Sequence, residues 1–189
     1  MRPRAGYALA VLAPHTLVLD RFEIDAPDWR PAWDAYAVAA EAAAAEGARV
    51  IVLPEKIAVL PPPAAREATA RLQAIAAQHD AIIVAGAVAP EWEATFNRAY
   101  LITANGVQSY DKHHMVPGFE SHLTPGTAIT FADIGETRVG VAICKDFDFP
   151  ALIRRYGDQQ VELMLAPAWD FTDDAWLHSR MAVLRGVEN

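Results

Sequence analysis

Two short runs, RVIVL (Arg49 to Leu53) and AIIVAGAV (Ala81 to Val88), contain no polar residue after Arg49. A strand with one wet face alternates apolar and polar side chains, whereas an uninterrupted apolar run suits a strand buried on both faces. Such strands need covering layers, and the intervening sequence supplies them. Asp28 to Glu46 reads as an alanine-rich helix, with Asp28 as its N-cap, Pro31 in its first turn and Gly47 as its stop. Pro61 to Pro63 end the next loop, and Ala64 to Gln78 reads as a second helix with Leu72, Ile75 and Ala76 on one face.

The same reading gives a first strand over Tyr7 to Leu12 and a hairpin of Phe96–Thr103 and Val107–Tyr110 turning on Asn105-Gly106. Strands at Ile129–Ile134 and Arg138–Ile143 join around Gly135. A short helix (Phe149–Tyr156), a strand (Glu162–Leu165) and a helix (Asp173–Glu188) follow. Strands interleaved with helices and hairpins predict a layered α/β domain with a mixed sheet. At 189 residues the chain reads as one domain, residues 1–189.

Composition removes several function classes. A net charge of -8, with no concentrated basic run, argues against a nucleic-acid surface. One cysteine excludes an internal disulfide and any multi-thiolate metal site, and it fits a reducing compartment. GxGxxG and GxxxxGK[ST] loops are absent, so nucleotide binding has no support. Nowhere do the ~20 uninterrupted apolar residues of a membrane span occur. The opening MRPRAGYALAVL begins as a secretory signal does, but Pro14 and His15 interrupt it, and a first strand is the preferred reading.

The single cysteine, Cys144, sits in RVGVAICKDFDF, where a buried strand meets an acidic turn. Strand-turn-helix geometry can expose a nucleophile at the carboxyl edge of a sheet, and free backbone N–H groups there can stabilise an oxyanion. Taken alone, Cys144 reads as a buried structural thiol. A reactive thiol needs a base or positive charge beside it. Glu55 in VLPEK and Lys112 in SYDKHHMVPGFE each lie just past a strand; alone they read as a loop acid and a surface lysine. Together with the thiol they form a chemically complete set, with Glu55 to take the thiol proton and Lys112 to stabilise developing charge. Spacing does not show that they converge.

The ordered segments LPEK, TFNRAYLITANG, YDKHHMVPGFE, GVAICKDFDFP and LRGVEN resemble those of the carbon–nitrogen hydrolase (nitrilase) superfamily, over essentially the whole chain. The resemblance implies an αββα sandwich with mixed sheets, C-terminally incomplete here because relatives continue past Asn189. It implies Glu55 as general base, Lys112 as oxyanion-stabilising cation, Cys144 as nucleophile, and Glu120 as a second glutamate that positions the lysine. The Lys145 N–H would contribute to the oxyanion hole. The implied reaction passes through an acyl-thioester, on an amide, nitrile or ester, without metal or organic cofactor. HMVPGFE and APAWDF resemble the apolipoprotein N-acyltransferase branch, which makes N-acyl transfer the alternative outcome. In that branch the domain follows membrane spans and works outside the cytoplasm, whereas soluble amidases work in the cytoplasm, the preferred expectation here.

Trp92, Phe119, Trp169 and Phe171 are candidates to line a pocket near the thiol, with core packing as the competing explanation. Other readings remain. A Cys-His hydrolase would use His113 or His114 as base. The His113, His114 and His122 cluster could suggest a metal, but it matches no HExxH-type spacing. An inactive binding or assembly module is the non-enzymatic alternative. The expected partners are a small-molecule amide or acyl substrate and a homo-oligomeric copy, with membrane association only within a longer acyltransferase.

Overall fold

The computed structural model describes residues 8–11, 28–169 and 175–188. Its elements follow the expected order: β1 (Ala8–Val11), α1 (Arg30–Ala45), β2 (Ala48–Val52), α2 (Pro62–His79), β3 (Ile82–Pro90), β4 (Thr95–Thr103) and β5 (Gly106–Asp111). Then come β6 (Thr130–Ile134), β7 (Thr137–Val141), a 3-10 turn over Cys144–Asp148, α3 (Pro150–Gly157), β8 (Leu163–Leu165) and α4 (Ala175–Glu188). The expected ends of β1 at Tyr7 and Leu12, the start of the last helix at Asp173, and Phe171 lie outside the described residues.

Five strands form one sheet in the order β1-β2-β3-β4-β5, and three form a second in the order β6-β7-β8. The unbroken apolar runs split by parity. Ile51, Ile83, Ala85 and Ala87 point to one face with Tyr100 and Ile102, and pack against Trp33, Tyr36, Ala37 and Ala40 of α1 and Leu72 and Ile75 of α2. Val50, Val52, Ile82 and Val84 point the other way with Ala99 and Leu101, and meet Val139 and Val141 of the second sheet. Leu152, Ile153 and Tyr156 of α3 belong to this second cluster. Helix layer, sheet, sheet and helix layer make the αββα sandwich that the continuous apolar strands required. Trp33 donates its indole N–H to the Ala68 carbonyl at 3.0 Å, joining α1 to α2.

Two local expectations shift by a residue. Trp29, not Asp28, occupies the α1 N-cap, although Asp28 Oδ1 still accepts from the Arg30 N–H at 3.1 Å. The β4–β5 tip is Ala104-Asn105, because Thr103 already pairs with Gly106. The Thr103 hydroxyl accepts the Asn105 N–H at 3.2 Å, which fixes the turn one position early. Among the described residues no helix is long and apolar enough to cross a membrane.

Topology gathers the strand ends that matter. β2 and β3 are parallel, and the antiparallel steps β3–β4 and β4–β5 return β5 to the direction of β2. The segments after β2 and β5, bearing Glu55 and Lys112, therefore emerge at the same edge. Gly86 in β3 lets the Glu55 turn approach: a Cβ there would lie 2.6 Å from both Glu55 Cα and the Pro54 carbonyl oxygen. Because both obstacles are backbone, they cannot swing aside. Gly86→Ala is expected to displace this turn and cost ~1–3 kcal/mol of unfolding free energy, measured by urea denaturation. A Gly86→Ala protein as stable as wild type would contradict the close approach.

Candidate active site

Glu55, Lys112, Glu120 and Asn97 all have exposures of 2% or less, and they form one hydrogen-bonded cluster. The Lys112 ammonium donates to Glu55 Oε1 at 2.9 Å and to Glu120 Oε2 at 2.8 Å. The Asn97 amide donates to Glu55 Oε1 at 2.6 Å and to Glu120 Oε1 at 2.8 Å. Lys56 adds a second ammonium, 2.7 Å from Glu120 Oε1 and 3.8 Å from Glu55 Oε1. Glu120 also accepts the Val116 N–H at 2.9 Å, so the irregular segment after β5 closes onto its own lysine.

Burial alone would pull the Lys112 ammonium toward neutrality. The charges of Glu55 and Cys144, with Glu120, outweigh burial and hold its pKa above the ordinary lysine range. For Glu120, burial opposes the charge, but the hydrogen bonds from Lys112 and Lys56 prevail and hold the carboxyl at about 2.

Cys144 begins the 3-10 turn after β7 with a φ of 44°, the left-handed region that a non-glycine residue adopts at a cost. The turn is attached to the first sheet in two places. Past β8, three consecutive residues bridge the sheets: Pro167 accepts the Cys144 N–H at 3.0 Å, Ala168 accepts the Glu55 N–H at 3.5 Å, and the Trp169 N–H reaches Glu55 Oε2 at 2.9 Å. Asp146, fully buried, supplies the other attachment. It accepts the Tyr110 hydroxyl at 2.6 Å, the His113 and His114 N–H groups at 3.2 and 2.9 Å, and the Ile143 N–H at 3.2 Å. The segment following Lys112 is thereby fixed to the turn carrying Cys144.

The remaining sequence candidates are placed as follows. The Lys145 ammonium pairs with Asp148 at 2.9 Å, so its backbone N–H, rather than its side chain, is what it can offer an oxyanion. Trp169 is half-exposed, and the Lys56 ammonium lies 5.8 Å from its ring centre. Phe119 and Trp92 are 69% and 96% exposed, which removes core packing as their explanation. His113 stacks on Tyr110 and approaches the Ala128 carbonyl, while His114 stacks on Phe149 and contacts Asp146. Both rings are thus committed to partners other than the Glu55–Lys112 cluster. His122 is exposed, and among the described residues no group of three His, Cys, Asp or Glu side chains is arranged to hold a metal.

Sequence reasoning missed Lys56, Asp146 and the role of Asn97. Asn97 and Asp146 carried a signal, being polar residues inside otherwise buried segments; Lys56 carried none.

A buried ammonium and two buried carboxylates stand at the sheet edge of an αββα sandwich, and hydrogen bonds tie the turn carrying the thiol to them. The chain belongs to the carbon–nitrogen hydrolase family, whose family model matches residues 22–188. It is 27% identical over 119 residues to an (R)-stereoselective amidase of Pseudomonas sp., covering 62% of this chain and 43% of that one. It is 29% identical to an apolipoprotein N-acyltransferase of Geobacter metallireducens, covering 49% of this chain and 22% of that one. The chain thus spans less than half the length of these curated relatives. In fold it is similar to a mutant of the nitrilase-superfamily amidase of Nesterenkonia, with TM-score 0.74 and 24% identity over 86% of this chain and 68% of that chain. A branch 10 nitrilase-superfamily member from Saccharomyces cerevisiae gives TM-score 0.70 and 22% identity, over 85% of this chain and 66% of that one.

The depressed Glu120 carboxyl has a consequence for stability. A group whose folded pKa lies below its unfolded value stabilises the fold above the unfolded pKa and loses that contribution as pH falls through the folded one. For Glu120 the window runs from 4.5 down to about 2. The wild-type urea midpoint is expected to fall across this window, and Glu120→Gln to flatten the slope. Parallel wild-type and Glu120→Gln curves would contradict the assignment.

Proposed function

We propose that this chain is the catalytic domain of a thiol amidase acting on small amides through a Cys144 acyl-thioester. The observation that carries this reading is the Lys112 ammonium, hydrogen-bonded to both Glu55 and Glu120 at the strand edge, with the Cys144 turn tied to the same cluster through Pro167–Trp169 and Asp146. Among related proteins, an amidase from Nesterenkonia has been seen with acrylamide added to its active-site cysteine.

In the proposed reaction Glu55 takes the Cys144 thiol proton as the sulfur bonds to the amide carbon. The carbonyl electron pair moves to oxygen, where the Lys112 ammonium and the Lys145 N–H stabilise the oxyanion. Collapse breaks the carbon–nitrogen bond, and the amine departs with the proton held by Glu55. Water then gives a proton to Glu55 and attacks the thioester. The carbon–sulfur bond breaks, the sulfur recovers its proton, and a carboxylic acid is released. Glu120 does not meet the substrate in this scheme; it holds Lys112 and Lys56. Trp169 fixes Glu55 through its N–H, and its half-exposed ring and that of Phe119 offer apolar surface to an acyl group.

The similarity to apolipoprotein N-acyltransferase supports a second reading, in which an amine replaces water at the thioester. The same residues serve both outcomes, so the acceptor alone separates them.

Cys144→Ala is expected to lower amide turnover by at least about a thousandfold while leaving the circular dichroism spectrum and melting temperature near wild type. Turnover at the wild-type rate in folded Cys144→Ala would overturn the proposal. Release of free acid with no amide product in the presence of added amine would assign hydrolysis over transfer.

A further inference from the structure

Lys56 takes no part in the bond-making steps above, yet it is among the more constrained residues of the site. Its backbone has a φ of 53°, left-handed for a residue with a side chain, and its N–H lies where a side chain on Gly86 would collide with it. Backbone strain of this kind persists where the surroundings impose it and clusters at functional sites. Here its effect is to turn the Lys56 side chain inward, to 17% exposure, with its ammonium against Glu120 and near the Trp169 ring.

Charge balance shows what that ammonium changes. Glu55 and Glu120 are buried and are bridged by one Asn97 amide, which is neutral. With Lys112 alone, two carboxylates would share one cation in a dry site, leaving net negative charge beside the thiol. A nearby negative charge disfavours a thiolate. Of the other charges on the adjoining elements, Asp146 is held by hydrogen bonds from the Tyr110 hydroxyl and the His113, His114 and Ile143 N–H groups, with the His114 ring 3.1 Å away, and Lys145 pairs with Asp148.

We propose that Lys56 is a positioning residue that neutralises Glu120, leaving the Lys112 charge to Glu55 and to the Cys144 thiolate. This rests on the reading of Cys144 as the nucleophile. Lys56 does not touch the substrate; it acts through Glu120 and Lys112. The left-handed backbone is the cost of bringing a second ammonium into the cluster.

The test uses iodoacetamide alkylation of the single cysteine, followed by intact mass across pH, together with melting temperature. Lys56→Gly removes the ammonium and relieves the backbone. It is expected to stay folded, because backbone relief offsets part of the lost Lys56–Glu120 pair, and to raise the thiol midpoint by about one unit and slow alkylation below that midpoint about tenfold. Lys56→Arg, which retains the charge, is expected to restore most of the wild-type profile. A residue of purely structural importance would lower the melting temperature when replaced without moving the thiol midpoint.

The outcomes separate the inference from the reading beneath it. A wild-type midpoint near the ordinary thiol value of about 8.5 would overturn the role of Lys56 by removing the stabilised thiolate, whereas wild-type turnover in folded Cys144→Ala would take down the nucleophile itself. A depressed wild-type midpoint unchanged in folded Lys56→Gly would overturn the role of Lys56 alone. Failure of Lys56→Arg to recover the profile, with its fold intact, would likewise overturn it.

Discussion

An ammonium buried to 1% exposure must be met by anions, and most of this site follows from where Lys112 stands. Removing a charge from water costs several kcal/mol, which neutral packing cannot return. Glu55 and Glu120 supply the compensation at hydrogen-bond distance, and Asn97 holds those two carboxylates together. The cluster is therefore both a structural element and a fixed electrostatic field. Reagents preorganised this way need little rearrangement when charge develops during reaction.

The field is useful only if the thiol is held against it, and the thiol belongs to the other sheet. Hydrophobic contact between the sheets is not directional and would not fix the Cys144 turn to the required tolerance. Hydrogen bonds do so here. The run Pro167-Ala168-Trp169 reaches both the Cys144 turn and Glu55, and Asp146 accepts from the Tyr110 hydroxyl and the His113 and His114 N–H groups on the Lys112 side. Left-handed backbone at both Lys56 and Cys144 marks two turns of the site where the chain departs from easy geometry.

The layered fold was legible because its evidence is periodic. RVIVL and AIIVAGAV declare burial on both faces, and Leu72, Ile75 and Ala76 fall on one face at helical spacing. Boundaries were less legible: the β4–β5 turn moved one residue because the Thr103 hydroxyl captures the Asn105 N–H, a competition that residue preferences do not resolve. Glu55, Lys112, Glu120 and Cys144 could be singled out from their places beyond strands and from the family resemblance. Convergence could not be read, since it depends on strand order. Lys56 was hidden for a different reason. Its inward turn is permitted by Gly86, thirty residues along the chain in β3. The Trp169 contribution is a backbone N–H, which any residue type would provide.

The account stands or falls on whether Cys144 carries the acyl group under the control of Lys112. Rapid quenching of the protein with a small aliphatic amide or aryl ester, followed by intact mass and peptide mapping, reads this directly. The account predicts a transient acyl adduct on Cys144 in wild type, formed much more slowly in folded Lys112→Met. Turnover with no adduct at Cys144, or an adduct formed equally fast in Lys112→Met, would contradict it.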